Sequence, residues 1–401
     1  MGAAVVIRSY VVVISAMAAL AVSGCAQRLP PLPLQYAHDI APLGIPNARF
    51  YPDTDLAPME ALGKLTIQRE RKYLSKGASA ELPTAHFLAI SGGGDNGAFG
   101  AGLLCGWSAR GDRPEFRLVT GVSTGALSAP FVFLGPEYDH KLEQVYTETA
   151  ASDVFVPRPK LFAAIAADAM TDTAPLRDMI SRFVDAHMMQ RIAEEYAKGR
   201  LLLIMTTNLD QGRPVIWNLG AIAESRHPRA RELIIDILVA SSAIPGVFPP
   251  VMIGVEKGGN AYQEMHVDGG AMAQTFLYPP NLSLERVARQ KGINRKRVAY
   301  IIRNGRLFRD EAEVSRQTLS VAAHAASTMI AANGTNDTFR IYLTTKRDGV
   351  GYNLAYIGDD FTEPYVGPFD RDYMRKLFSY GYELGRAGDP WHNAPPGFES
   401  D

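Results

Sequence analysis

The stretch Leu118-Val119-Thr120-Gly121-Val122-Ser123-Thr124-Gly125-Ala126-Leu127 decides how the chain is read: an apolar strand breaks at glycines around one serine and continues as a helix. In a G-x-S-x-G turn the serine sits at the tip of a sharp strand-to-helix bend, where Gly121 and Gly125 leave room because neither carries a Cβ. Ser123 Oγ is then expected to project from the sheet edge, with the first free N–H groups of the following helix aimed at the same spot. So short a motif occurs by chance, and its meaning rests on its neighbours.

Upstream, Ala85–Ile90 is an apolar run of strand length, followed by Ser91-Gly92-Gly93-Gly94-Asp95-Asn96-Gly97 and an Ala/Gly/Leu-rich helix to about residue 109. A strand, a glycine loop and a helix start together form an anion cradle of backbone N–H groups. Downstream, residues 201–205 read as a third buried strand ending in Thr206-Thr207-Asn208-Leu209-Asp210-Gln211-Gly212, residues 215–218 as a fourth, and residues 229–241 as a helix. A hairpin turning at Lys257-Gly258-Gly259-Asn260 leads through 262–267 into Asp268-Gly269-Gly270. Residues 297–303 and 338–343 are expected strands separated by a helix over about 311–332, and a last helix is expected over about 371–384. Nearly continuously apolar strands alternating with helices predict a three-layer α/β/α sandwich around a mostly parallel sheet. The alanine-rich run 160–170 reads as a buried helix or a lid, and Trp107, Phe131 and Phe133 as core.

The three glycine-marked segments, around Gly92-Gly93-Gly94 and Gly97, around Ser123, and at Asp268-Gly269-Gly270, occur in an order that resembles the patatin-like phospholipase family. Thr207 to Gly212 and the block Ala240-Ser241-Ser242-Ala243-Ile244-Pro245-Gly246-Val247-Phe248-Pro249-Pro250 add to the resemblance, which spans roughly 85 to 275. It implies a patatin-like fold and a Ser-Asp dyad of Ser123 and Asp268. It also implies an oxyanion loop of Gly92, Gly93, Gly94 and Gly97, an elbow shaped by Gly121 and Gly125, and an aspartate turn completed by Gly269 and Gly270. One departure stands out: where the family often has a basic residue before the last loop glycine, this chain has Asn96, with Asp95 beside it. Taken alone, the first glycine segment also fits a dinucleotide fingerprint, with Asp112 and Glu115 downstream, but the next strand runs into the serine elbow. No cofactor and no metal are expected.

The chain has 401 residues, 47% hydrophobic and 21% charged, with a formal net charge of −1. That is globular composition without the basic footprint of a nucleic-acid binder. At the N-terminus Arg8 precedes an apolar run over residues 11–22, too short to span a bilayer comfortably, and then Ser23, Gly24 and Cys25. Ala21-Val22-Ser23-Gly24-Cys25 resembles a bacterial lipoprotein signal, implying cleavage before Cys25 and lipid on its sulfur, which leaves Cys105 unpaired. Ala26 after the cysteine, by resemblance to proteobacterial lipoproteins, favours the outer membrane. Residues 26–58 hold seven prolines and read as a tether or as a strap over the surface.

The expected organisation is a signal peptide (1–24), a lipidated tether and helix (25–84), a catalytic domain (85–345) and a C-terminal extension packed on it (346–401). The expected activity is hydrolysis of lipid acyl esters, with membrane lipids as both substrate and anchoring surface. A catalytically silent lipid-binding lipoprotein and a hydrolase with a Ser-His-Asp triad remain as alternatives. Of the histidines, His266 falls on the same strand face as Asp268 and is the candidate helper. Only His324 and His392 follow Asp268 as the triad order demands.

Overall fold

The computed structural model describes residues 28–75, 81–157, 171–307, 316, 318–388 and 390–398. The lipobox with Cys25 and the run 160–170 lie outside the described residues.

The central sheet is built on strands β1 (Arg49–Phe50), β2 (Ala85–Ile90) and β3 (Phe116–Gly121). A separate two-stranded ribbon joins β4 (Val156–Pro157) to β5 (Thr171–Asp172). The sheet continues with β6 (Leu201–Asn208), β7 (Arg213–Asn218), β8 (Val251–Lys257), β9 (Asn260–Asp268), β10 (Arg297–Arg303) and β11 (Gly351–Tyr356). Its order is β1-β7-β6-β3-β2-β10-β11, parallel from β6 to β11, with β1, β7 and the β8/β9 hairpin added antiparallel on the β6 side. The parallel strands are apolar on both faces because helices cover both.

On one face Leu88, Ile90, Val119, Leu202 and Ile204 pack into the larger core. It is covered by α2 (Gly97–Arg110), α3 (Thr124–Leu134), α4 (Asp139–Thr147), α5 (Ala174–Phe183), α6 (Ala186–Ala197), α7 (Ala230–Ser241) and α10 (Arg371–Ala387). The opposite face presents Ala89, Leu118, Leu203, Met205 and Ile301 to α1 (Leu56–Tyr73), to residues 273–277 and to α9 (Thr318–Arg347). A short amphipathic helix, α8 (Leu284–Lys291), closes that side. Trp107, Phe131 and Phe133 are core, as expected, and Cys105 is a buried free thiol.

Two features depart from the sequence reading. Residues 338–343 are not a strand but part of α9. Their aromatic and β-branched content suggests β structure, yet the residues turned inward are Thr338, Ile341, Tyr342 and Thr345, at helical spacing, while Leu343 is exposed. The strand that does follow is β11, which pairs parallel with β10 from Val298–Gly351 to Arg303–Tyr356. Beyond it, α10 lies against α2 at backbone distance, for a Cβ on Gly102, Gly106, Gly381 or Gly385 would run into the main chain of the other helix.

Of the two readings of the proline-rich segment, tether or strap, the structure shows the strap. Arg28 pairs with Asp210 at 2.5 Å, Leu29 N–H donates to Gln263 Oε1 at 2.9 Å, and Gln263 N–H donates to the Pro30 carbonyl at 3.1 Å. Farther along, Ala48, Phe50 and Tyr51 are buried, and Arg49 and Phe50 pair with Trp217 and Ile216 as the edge strand.

Candidate active site

β3 ends at Gly121 and α3 begins at Thr124, so Val122 and Ser123 make the whole bend. Ser123 sits at φ 55°, ψ −125°, on the left-handed side of the map for a residue with a Cβ. Such a conformation costs on the order of 1–3 kcal/mol and survives only where its surroundings over-determine it. Here the Ser123 N–H donates to Ser241 Oγ at 3.0 Å, and Ser241 Oγ donates to the Met205 carbonyl at 2.7 Å. A Cβ on Gly121 would collide with the Gly125 carbonyl, and one on Gly125 with the Ile90 carbonyl. The strand and the helix start cross that closely only because both positions are glycine.

The glycine loop follows β2 and lies against the serine: a Cβ on Gly92 would stand 3.1 Å from Ser123 Cβ. Gly92 N–H is taken by the Gln274 carbonyl at 2.9 Å, whereas the N–H groups of Gly93 and Gly94 have no acceptor among the described residues. Gly94, at φ +60°, adopts the backbone that turns this loop into α2. Gly97 opens that helix pressed against Thr124 and Tyr146, so the starts of α2 and α3 converge. Asn304 holds the loop from below: its N–H donates to Ser91 Oγ at 2.7 Å, its Nδ2 to the Ser91 carbonyl at 2.9 Å, and its Oδ1 accepts from Gly100 N–H at 3.1 Å.

Asp95 and Asn96 face the segment before α10. The Asp95 carboxylate accepts the Phe369 N–H at 2.9 Å, and Tyr373 Oη donates to Asn96 Oδ1 at 3.0 Å. Burial pushes the Asp95 pKa up, with the Phe369 hydrogen bond opposing it. The loop is therefore anchored by polar contacts from the far end of the chain.

Asp268 ends β9 opposite Thr206. Its N–H donates to the Ala243 carbonyl at 2.9 Å, and its carbonyl accepts from Thr207 Oγ1 at 3.0 Å, so the backbone is held on both sides. The carboxylate accepts the Gly270 N–H at 2.7 Å and hydrogen-bonds the Ser123 side chain. Burial raises its pKa to about 7 against the pull of those two hydrogen bonds. A carboxyl group so placed has proton affinity matched to neutral pH, which an aqueous carboxylate lacks. Gly269 packs on Val122 and the Met205 carbonyl, and Gly270 on the Gln274 side chain.

His266 shares the strand but not the site. Its Nδ1 lies 2.9 Å from Thr206 Oγ1, which also accepts Trp217 Nε1–H at 2.8 Å, and its Nε2 lies 3.4 Å from Glu264. Thr206 therefore donates to Nδ1, and the Nε2 proton faces Glu264, a buried carboxylate paired with Arg49. Burial pushes the His266 pKa down, so the ring is neutral with both nitrogens engaged. His392 is bridged to Leu354 and stacks on Tyr356 at 4.9 Å. Among the described residues no cluster of His, Cys, Asp and Glu has the arrangement of a metal site.

Ser123, Asp268 and the glycine loop are thus brought together, and the sequence reading missed Ser241, Asn304, Gln274 and the Asp95–Phe369 contact. Of these, Ser241 and Asp95 lay in blocks already singled out. The family model of patatin-like phospholipases matches residues 88–279. Those residues form a patatin-like phospholipase domain. The family is one of lipid acyl hydrolases, and the matched region contains the glycine loop, Ser123 and Asp268. No curated protein matches the chain. Among solved structures, VipD from Legionella pneumophila is similar at 14% identity and a TM-score of 0.38, over 76% of this chain and 66% of that one. The patatin-like domain is completed here by residues outside the match: Asn304 after β10, and Phe369 and Tyr373 at the start of α10.

Proposed function

We propose that the chain is a serine acyl hydrolase that cleaves acyl esters of phospholipids or related lipids through a Ser123–Asp268 dyad. The observation that carries the reading is the buried Asp268 carboxyl, poised near neutrality and hydrogen-bonded to a serine held at φ 55°. As the Ser123 proton passes to Asp268, Oγ bonds to the ester carbonyl carbon and the carbonyl oxygen becomes an oxyanion. Gly93 and Gly94 N–H groups are the donors left free to receive that charge. Each such donor is worth roughly 10²–10³ in rate. Collapse expels the alcohol, which takes the proton back from Asp268. Water, deprotonated by the same carboxylate, then releases the fatty acid and restores the serine.

In the same proposal the chain is a lipoprotein of the bacterial envelope, acylated on Cys25 and held at the outer membrane, with membrane lipids as substrate. This part rests on residues 8–26 of the sequence. Among the described residues no helix is long and apolar enough to cross a membrane.

A fluorophosphonate probe tests the chemistry. Wild-type protein lacking residues 1–25 is expected to be labelled and to hydrolyse members of a lipid panel, and Ser123→Ala to do neither. Folded wild type that stays unlabelled and inactive removes the enzyme reading and leaves a lipid-binding protein.

A further inference from the structure

The elbow and the glycine loop occupy the carboxyl ends of β2 and β3. At the amino ends of β2, β3, β6 and β10, on the order of 15 Å away along the strands, lies a second constellation that the proposed reaction does not use. A cavity of about 170 Å³ opens between the sheet and helices α1 and α8, with Leu62, Phe87, Leu201, Leu203 and Val287 in its walls. Arg117, Arg295 and Arg297 also line it, with one carboxylate, Glu70.

The charges there do not balance. Arg295 takes Glu70 with both nitrogens, at 2.6 and 3.0 Å, and Arg117 Nε stands 3.4 Å from the same carboxylate. Arg117 is completed by the Lys198 carbonyl at 2.9 Å and by exposed Glu115 at 3.5 Å. Half-buried Arg297 has no hydrogen bond or ion pair among the described residues. The groups that act on it at longer range are Arg295, Tyr278 and Asp348, and Asp348 is already paired with Arg347 at 2.7 Å. A half-buried guanidinium without a protein partner keeps donors free, and an anion supplied from outside can take them in charge-assisted hydrogen bonds.

A second apolar space adjoins the first. A larger cavity of about 410 Å³ shares the walls Ile216, Phe276, Leu277 and Tyr278 with the first and continues toward Met205, Met272 and Ile341. An apolar hole of about 150 Å³ stays dry and accepts a benzene-sized molecule, some six carbons. By that measure the smaller cavity holds about six carbons and the larger about sixteen. Taken together they suit one long alkyl chain, and the unpaired Arg297 at the amino end of β10 suits a negative head.

We propose that these adjoining cavities open into one another and bind a long-chain fatty acid, its carboxylate on Arg297 and its chain running beneath the sheet from Leu201 toward Met205, at a site separate from Ser123. The fatty acid is also the product class of the proposed hydrolysis, but its recognition here rests on the cavity and the arginine alone. Binding of submicellar oleate and oleyl alcohol, followed by calorimetry on the protein lacking residues 1–25, tests this. Wild type and Ser123→Ala should bind oleate equally, and oleyl alcohol at least tenfold more weakly. Arg297→Gln should lose tenfold or more in oleate affinity with oleyl alcohol unchanged. Ala288→Phe, which places a ring in the smaller cavity from a buried position on α8, should lose both ligands. Absence of saturable oleate binding to wild type overturns the proposal. So does equal affinity for acid and alcohol, or oleate binding that survives in Arg297→Gln with its melting temperature unchanged. Loss of lipid hydrolysis in Ser123→Ala with oleate binding intact keeps the two proposals separate.

Discussion

Replacing Asp268 by asparagine should abolish hydrolysis and stabilise the protein, and the stabilisation should appear only where the wild-type carboxyl is charged. Burial lifts Asp268 from 3.8 to about 7. A gap of roughly three units at about 1.36 kcal/mol each is worth about 4 kcal/mol. Between those two values the folded carboxyl keeps a proton that the unfolded chain has released. Wild-type stability therefore falls as pH rises through this window, and the loss is complete above about pH 7. The asparagine amide is neutral at every pH: its oxygen can accept the Gly270 N–H and its nitrogen can donate to Ser123 Oγ. At pH 8 the variant should be more stable by up to about 4 kcal/mol, near 5 °C in Tm for a chain of this size. The advantage should shrink through pH 6 and vanish near pH 4. Urea unfolding at the three pH values, with lipid hydrolysis measured alongside, gives the answer. A stability difference that is the same at all three, or a variant less stable at pH 8, refutes the assignment of Asp268 as a carboxyl held near neutrality by burial.

Ser241→Ala leaves the Ser123 N–H and the Met205 carbonyl without their shared partner. About 1–3 kcal/mol of stability should be lost, with a fall in kcat larger than any change in KM as the strained elbow relaxes. His266→Gln should lower Tm, because it breaks the Trp217–Thr206–His266–Glu264 chain. The folded fraction should keep most of its specific activity, as should His324→Ala and His392→Ala; an inactive, folded variant of any of the three points to a triad. Tyr373→Phe removes the hydroxyl on Asn96 and should slow hydrolysis several-fold while fluorophosphonate labelling still reaches completion. Palmitate fed to producing cells should label the wild type and not Cys25→Ser; equal labelling of both defeats the lipoprotein assignment.

What the sequence discloses of this site is what local backbone geometry demands. Gly121 and Gly125 must lack a Cβ for β3 and α3 to cross, and Asp268-Gly269-Gly270 must turn tightly, so these positions declare themselves in short motifs. The supports do not. Asn304 holds Ser91, and Phe369 caps Asp95, across separations of more than 200 residues, and neither belongs to a pattern with a fixed spacing. Residues 338–343 mislead for a related reason: their composition favours a strand, but Thr338 and Thr345 turn inward on a helix because both hydroxyls find acceptors in the preceding turn, the Thr335 and Tyr342 carbonyls. Strand β11 is concealed by the Gly351 at its start and the Asn353 within it, both residue types depleted in strands.

The seating of Arg28 against Asp210 also limits where the molecule can work. If lipid holds Cys25, only Ala26 and Gln27 lie between anchor and body, and the three Cα–Cα steps reach at most about 10 Å when fully extended. A body on so short a lead has almost no volume to explore; its motion is lateral diffusion with a restricted tilt. Encounter with substrate is then set by the number of lipids per unit area of its own leaflet, and raising the bulk concentration of a dispersed ester does little. Moving the same body onto a long glycine–serine linker would exchange that two-dimensional search for a three-dimensional one, and would bring lipids of a facing membrane within reach.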